Sequence, residues 1–449
     1  MHPRILLLNP PTEGVKNTVR DLLYGCWCSG KRIAGATFPP LSLLSIYTIL
    51  KKNSNPFLLD HQIVKWDINK FLDIVSKFEG LIMPVSDESI SEDIRLLKLV
   101  KEKNPDIKTL VFGSYCTFFP EDALHHNEID SIAIGEPESC IHIFPEIIQN
   151  RINKQEDIPT GMGLKFNNQI VIHEPKFDYQ LDKLPIPDRQ PIKDIYYFNP
   201  LTITNKWTTA LTSRGCPGTC NFCTSPAFYG KHYRYHSFEW IKEELQYLKN
   251  IGFKEIFYRD ETFTANRNRL HQFSDWITKE KIDIKWIINV RVGTVNQNDL
   301  IALKRAGCHT IKVGVESGSD RILKLVSKGT TVEINTKARK LALKYGIRFK
   351  AFIVVGLPYS TREDEAMTEK WIEENRPDDI DVTPNTPYPS TPEYENPEKY
   401  GLRFEYDFFG ESVSFKYDPK KIKVFCENSF LTKKEIKDIT LRLLKKYKI

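Results

Sequence analysis

Arg214-Gly215-Cys216-Pro217-Gly218-Thr219-Cys220-Asn221-Phe222-Cys223 crowds three cysteines into eight residues and directly follows the apolar stretch Trp207–Ser213. Three thiolates on one tight loop can hold a metal or a cluster, and Gly215 and Gly218 let the backbone wrap close to it. A zinc site wants four ligands. No second CxxC or paired histidines lie nearby, and His232 and His236 return only across a long loop. A 4Fe-4S cluster normally takes four cysteines, so three leave one iron open for a substrate or cofactor. The bland alternative, three cysteines buried for packing, does not account for this spacing with glycines and an aromatic inserted.

Strand–helix alternation continues outward from the loop. After Trp207–Ser213 come the candidate strands Glu255–Tyr258, Lys285–Arg291, Thr310–Glu316, Arg348–Val355 and Asp379–Thr383. Between them lie helices such as Ser237–Lys249, with Ser237 as cap and Phe238, Ile241, Leu245 and Leu248 as its apolar stripe. Six such units over residues 207–386 predict a partial TIM-type β/α barrel whose active face is the carboxyl end of the strands. The cysteines follow the first of these strands. Residues 387–449, with prolines, aromatics and a lysine-rich helix, read as a C-terminal cap.

Upstream, residues 1–150 alternate short apolar runs with amphipathic segments, the pattern of a Rossmann-like doubly wound parallel sheet. Candidate strands are Arg4–Leu8, Pro56–Asp60, Gly80–Pro84, Ile107–Phe112 and Ser131–Gly135; candidate helices are Leu41–Lys52, Asp67–Lys77, Ile90–Lys103 and Glu138–Gln149. Ligands of such sheets bind on the loops beyond the strand carboxyl ends. None of those loops is a GxGxxG or a P-loop, which argues against a nicotinamide or nucleoside-triphosphate site. Between 151 and 206 periodicity fades, and Pro185, Pro187, Pro191 and Pro200 punctuate an ordered connector.

Composition bounds the rest. The 449 residues are 41% hydrophobic and 27% charged, an ordinary globular balance that excludes disorder and low complexity. The longest apolar stretch near the start, Ile5–Leu8, is too short for a membrane helix or a signal segment, so a cytoplasmic protein is expected. Nine cysteines argue against a disulfide framework in that compartment. A formal charge of +6, spread along the chain with basic stretches near Lys420–Lys423 and Lys445–Lys448, reads as a solvated surface, not a nucleic-acid footprint.

The CxxxCxxC with Phe222 before its third cysteine resembles the hallmark of the radical S-adenosylmethionine superfamily. That resemblance implies a 4Fe-4S cluster on Cys216, Cys220 and Cys223, whose open iron chelates S-adenosylmethionine and cleaves it to a 5′-deoxyadenosyl radical. Further segments at successive strand ends resemble the family's cofactor contacts. Asp260-Glu261-Thr262, within Tyr258–Thr264, looks like the segment that meets the methionine amino group. Arg291, ending Asn289-Val290-Arg291, is placed like the partner of the methionine carboxylate. Glu316 and Ser317 look like the ribose site, and Gly356 in Val354–Pro358 resembles the edge along adenine. Thr386–Pro392 is similar to the family's TPYPGTP turn, with Ser390 for glycine. A lone strand-end Arg291 or Glu316 is more often an ion-pair partner; it is the matches in order that carry weight.

The first domain resembles the cobalamin-binding domain that precedes the barrel in many members of this superfamily. The matching segments are Leu6–Pro11 ending in NPP, Pro39–Leu44 with Leu41 and Ser42, Gly113–Cys116, and Gly135-Glu136-Pro137-Glu138. Leu181–Arg189 is similar to the family's LDELPFPDR connector. The implied cobalamin contacts are Pro11, Leu41, Ser42, Ser86, Gly113, Ser114, Gly135 and Glu136. Ser42, Ser114, Cys116 and Pro137 depart from the usual residues, and no DxHxxG supplies an axial histidine, since Asp60 and His61 are adjacent. The resemblance implies methylation of an unactivated carbon or a phosphinate phosphorus. A radical cyclisation or rearrangement, a methylthiotransferase and a non-catalytic cobalamin sensor are the alternatives. Expected partners are a small-molecule or lipid substrate and an electron donor such as flavodoxin or ferredoxin, without nucleic acid. Cys26 and Cys28, on a loop near the same edge, are left without a role.

Overall fold

A computed structural model describes residues 2–11, 20, 37–87, 89–405 and 422–447. Cys26, Cys28, Lys420, Lys421 and Lys448 lie outside the described residues. The described chain divides into two compact units: residues 2–195 with 227–230, and residues 196–226 with 231–405 and 422–447.

In the first unit, strands β1 (Arg4–Asn9), β2 (Asn55–Asp60), β3 (Gly80–Pro84), β4 (Lys108–Phe112) and β5 (Ser131–Ala133) pair in parallel in the order β2-β1-β3-β4-β5. This is the expected doubly wound sheet. Its strands read as unbroken apolar runs because helices cover both faces. Along β1, Leu6 and Leu8 enter one core with Phe71, Leu97 and Val111, while Ile5 and Leu7 enter a second with Leu43, Ile82 and Phe144.

Two differences from expectation have physical causes. The helix expected over Glu138–Gln149 is broken into 3-10 turns at Pro137–Ser139 and Ile141–Ile143 and a helix over Phe144–Ile148. Pro145 has no N–H to give, so an α-helix cannot run through from Glu138. The segment expected as a connector supplies two more strands, β6 (Met162–Phe166) and β7 (Gln169–His173). They form an antiparallel hairpin that extends the sheet from β5. The two-residue turn, Asn167-Asn168, has φ of 49° and 64°, the left-handed geometry that suits a tight hairpin and that asparagine tolerates.

In the second unit, β8 (Trp207–Ala210) is followed by β9 (Ser213–Arg214), which pairs antiparallel with β10 (Arg234–Tyr235). Strands β11 (Glu255–Tyr258), β12 (Lys285–Val290), β13 (Cys308–Glu316), β14 (Arg348–Val355) and β15 (Asp379–Pro384) continue from β8 as one parallel sheet in chain order. Six sequential parallel strands with helical crossovers are the expected six-unit arrangement, and among the described residues the sheet does not close. Ser237 caps its helix as expected, accepting the Trp240 N–H at 3.2 Å. A short ribbon, β16 (Leu402–Arg403) with β17 (Glu427–Asn428), and the helix Lys433–Tyr447 complete the unit. Among the described residues no helix is long and apolar enough to cross a membrane.

The hairpin provides a test of packing. A Cβ at Gly163 in β6 would stand 2.9 Å from Leu124 Cδ1 and 3.0 Å from Ile132 Cγ1. Gly163→Val is expected to lower unfolding stability by about 1–3 kcal/mol through overpacking, measured by chemical denaturation. An unchanged midpoint would show that the hairpin is not packed as described.

Candidate functional site

The loop 215–223 is fastened on three sides. Its near end is tied to β11 through Asp260, which is fully buried. The Asp260 carboxylate accepts the Thr212 N–H at 3.0 Å, the Thr212 hydroxyl at 2.6 Å and the Ser213 hydroxyl. Arg269 stands 3.9 Å from the same carboxylate and donates to the Thr212 carbonyl at 2.6 Å. At the far end, Asn221 gives its backbone N–H to Val326 O at 3.1 Å and its amide to Leu325 O at 2.9 Å. Phe222 packs beside it on Ile322, Val326 and Leu357.

Between these anchors the three sulfurs are half-buried and reduced. Gly218 N–H donates to Cys216 Sγ at 3.3 Å, and the Thr262 hydroxyl lies 3.3 Å from the same sulfur. Arg291, the residue just after β12, donates to Cys220 Sγ at 3.4 Å. Gly218 is required here, since a Cβ would overlap the Arg291 guanidinium. Gly215, at φ +79°, occupies the left-handed region that turns the chain into the loop. Among the described residues no group of three or more His, Cys, Asp or Glu side chains forms a site for a single metal ion. The sulfurs, with N–H groups aimed at two of them, have the donor set that suits thiolates ligating an iron–sulfur cluster.

The electrostatics follow from crowding. Burial pushes the Cys223 thiol well above its ordinary range, and the fields of Glu261, Cys220 and Cys216 add to it. Burial likewise lifts the Glu261 carboxyl to about 7 against the pull of Ser225. For Arg291, burial opposes the charge, but the hydrogen bond and field of Cys220 outweigh it and hold the guanidinium more basic than usual. A bound cation would reverse this penalty on the thiols.

Glu316 ends β13 where the register with β14 slips between Gly314 and Glu316, and its φ is +63°. Its carboxylate accepts from the Lys328 ammonium at 2.6 Å, and the Lys328 carbonyl in turn accepts from Arg291. Thus Cys220, Arg291, Lys328 and Glu316 form one continuous chain of polar contacts. Gly314 makes room for it, since a Cβ there would meet both Glu316 and Lys328. Sequence reasoning missed Lys328, because nothing local separates it from the other basic residues among the chain's 64.

The remaining candidates are already engaged within the protein. The Asp260 side chain braces the loop. Ser317 bonds Thr368 at 3.2 Å, and Gly356, at φ +77°, gives its N–H to Glu365 at 2.9 Å. Thr262 stands against the cysteine loop through its contact with Cys216, and Phe222 is part of that loop.

In the first unit, the candidates follow the carboxyl ends of the sheet. Pro11 follows β1, Ser86 follows β3, Gly113 and Ser114 follow β4, and Gly135 and Glu136 follow β5, while Leu41 and Ser42 open the helix after β1. Asn9 donates to Asp60 at 2.9 Å across β1 and β2. Glu136 is bonded by the Tyr179 hydroxyl. His61, after β2, is buried with its ring edge-on to Phe71 at 5.3 Å, and burial favours its neutral form. Two buried polar atoms at this edge, His61 Nδ1 and Asp87 Oδ2, have no hydrogen-bond partner among the described residues. An edge that carries such groups fits a ligand rich in donors and acceptors, as an amide-bearing corrin is.

Comparison with known proteins then assigns the chain. The sequence profile of the Radical SAM superfamily matches residues 211–372. An uncharacterized methyltransferase of Pyrococcus horikoshii is 32% identical over 86% of this chain and 82% of its own length. The chain belongs to the Radical SAM superfamily. A protein of Methanocaldococcus jannaschii provisionally named a methylthiotransferase is 31% identical over 74% of this chain and 72% of its own. The anaerobic magnesium-protoporphyrin IX monomethyl ester cyclase of Rubrivivax gelatinosus is 28% identical over 66% of this chain and 54% of its own. In fold, the chain is similar to the radical S-adenosylmethionine methyltransferase TsrM of Kitasatospora setae, solved with cobalamin and a [4Fe-4S] cluster. The TM-score is 0.72 at 16% identity, covering 92% of this chain and 83% of that one.

Replacing Cys216, Cys220 or Cys223 with alanine should abolish iron and acid-labile sulfide in the anaerobically reconstituted protein. Cys308→Ala and Cys426→Ala should retain both, since those thiols are buried elsewhere. A full iron complement in Cys220→Ala would sink the assignment.

Proposed function

We propose that this radical SAM protein is a cobalamin-dependent methyltransferase acting on a small molecule or lipid, at an unactivated carbon or a phosphinate phosphorus. The observation that carries the reading is the braced loop of Cys216, Cys220 and Cys223 with Arg291 at its sulfurs, in a chain whose first unit is a doubly wound sheet. The methyltransferase name of the Pyrococcus relative and the cofactors bound by TsrM support it. When bound, the cluster and S-adenosylmethionine supply a hydrogen-abstracting radical, and cobalamin supplies a transferable methyl group. The protein's own task is orientation. Cys216, Cys220 and Cys223 hold the cluster, with Asp260 fixing where their loop stands. Glu261 and Thr262 with Arg291 would meet the amino-acid end of S-adenosylmethionine, and Glu316 and Ser317 its ribose, with Gly356 along the adenine. Reduction requires an external donor of the flavodoxin or ferredoxin class.

A cyclase is the second reading, favoured by the Rubrivivax relative. The methylthiotransferase reading, raised by the Methanocaldococcus relative, implies a further cluster. Among the described residues the first unit offers only Cys116 and Cys140. Both are fully buried, and Cys140 bonds the carbonyls of Pro137 and Gly161. Iron near four per chain fits the methyltransferase, and near eight the methylthiotransferase.

Glu316→Ala, Arg291→Ala and Lys328→Met should each weaken S-adenosylmethionine binding roughly 10- to 150-fold, the worth of one charge-assisted hydrogen bond, with iron content unchanged. Unchanged affinity in all three would mean that the cofactor binds elsewhere.

The first unit should take up cobalamin without a histidine on cobalt, because His61 is buried against Phe71 and no DxHxxG is present. Electron paramagnetic resonance of the cob(II)alamin form should show no nitrogen triplets that depend on a protein residue, so the spectra of the parent and His61→Ala should coincide. Triplets that vanish in His61→Ala would refute this.

A further inference from the structure

The loop after β3 and the loop after β4 meet at a buried carboxylate. Asp87 is fully buried, and its Oδ1 accepts the Ser114 hydroxyl at 2.9 Å. Its Oδ2 has no hydrogen-bond partner among the described residues. Ser86, Ser89 and Asp93, on the same turn and the helix it opens, are bonded to one another and to Arg20. The Ser86 and Ser89 hydroxyls lie 2.8 Å apart, Ser89 donates to Asp93 at 2.5 Å, and Arg20 closes a buried ion pair with Asp93 at 2.8 Å. The two loops are also locked together. Gly113, at φ +116°, packs so tightly that a Cβ would overlap the Val85 carbonyl. Asp87 therefore cannot trade partners with its neighbours.

An unpaired buried carboxylate oxygen is costly, and few survive in folded proteins without a use. Burial lifts the Asp87 carboxyl to about 7, against the pull of Ser114 and its own backbone N–H. The position matters as much as the cost. Residues beyond adjacent strands at the carboxyl edge of a doubly wound sheet are where ligands of this fold sit.

We propose that Asp87 is a cobalamin-binding residue, with Oδ2 accepting a hydrogen bond from an N–H or O–H donor of the corrinoid while Ser114 holds Oδ1 in place. This rests on the cobalamin reading above. Two parts of the ligand carry such donors, the primary amides around the corrin and the ribose of the nucleotide tail. An Oδ2 kept instead for a structural water would leave corrinoid binding indifferent to Asp87.

The test titrates the full-length protein, Asp87→Asn and Asp87→Ala with hydroxocobalamin and with cobinamide, which keeps the amides but lacks the nucleotide. Binding is followed by visible spectra and by filtration. Asp87→Asn preserves shape, can still accept from Ser114 and removes the burial cost of a charge. Its thermal midpoint should equal or exceed that of the parent. Its affinity for cobalamin should fall by roughly 10- to 150-fold, since an amide N–H₂ faces the ligand's donor. Asp87→Ala should weaken binding too, which separates loss of the acceptor from the introduced amide. A fall for both corrinoids assigns the donor to a corrin amide; a fall for cobalamin alone assigns it to the nucleotide. If both variants bind both corrinoids as tightly as the parent, the role of Asp87 is overturned and the cobalamin reading stands. If the parent protein takes up neither corrinoid, both are overturned.

Discussion

The three cysteines stand where they do because a buried carboxylate just past the end of the neighbouring strand holds their loop. Asp260 has no exposure, and three groups of Thr212 and Ser213 converge on it. Removing it would leave these donors facing each other in the interior, a penalty that falls on the first turn of the cysteine loop. The loop then has little freedom, since Asn221 fixes its other end to the carbonyls of Leu325 and Val326. The reactive sulfurs thus hang from strand ends already aligned by the sheet, which is how a flexible Gly-rich stretch can present a defined ligand set.

Much of this was legible in the sequence, for reasons that differ by element. The parallel strands could be read because both faces are covered, so Ile5–Leu8 and Leu81–Met83 appear as apolar runs with no alternation to confuse the period. The cysteine loop could be read because its chemistry and its spacing are local. The β6–β7 hairpin was not. Its strands are short, and β7 is partly exposed, so it lacks a buried run. The signal that could have found it is Asn167-Asn168 between two apolar stretches, which is turn chemistry, not periodicity. The break at Pro145 was equally visible and was overridden by the apolar pattern around it.

Lys328 and Asp87 were illegible for a different reason. Each matters through a partner far away in sequence or through the lack of one. Lys328 meets Glu316 twelve positions earlier, and its carbonyl meets Arg291 thirty-seven earlier. Asp87 meets Ser114 twenty-seven positions on. A single sequence shows residue types and local spacing, and long-range pairing appears only when the strand ends are brought side by side.

Two turns of left-handed backbone shape the same place. Glu316 and Ser327 are non-glycine residues in the left-handed region, each costing about 1–2 kcal/mol; Glu316 ends the chain of contacts from Cys220, and Ser327 immediately precedes Lys328. The register slip in β13 leaves Val315 as the extra residue ahead of Glu316, which still pairs with Ile353, and the left-handed turn at Ser327 precedes the carbonyl that receives Arg291. Without Lys328, Glu316 would be a buried carboxylate with no charge partner, which is costly in a low dielectric. The ammonium at 2.6 Å neutralises Glu316 locally. It also leaves Arg291 free to serve the sulfur, because the Arg291 guanidinium is held by a carbonyl and not by an acid. The site therefore keeps one cation for the sulfur of Cys220 and one for the carboxylate of Glu316.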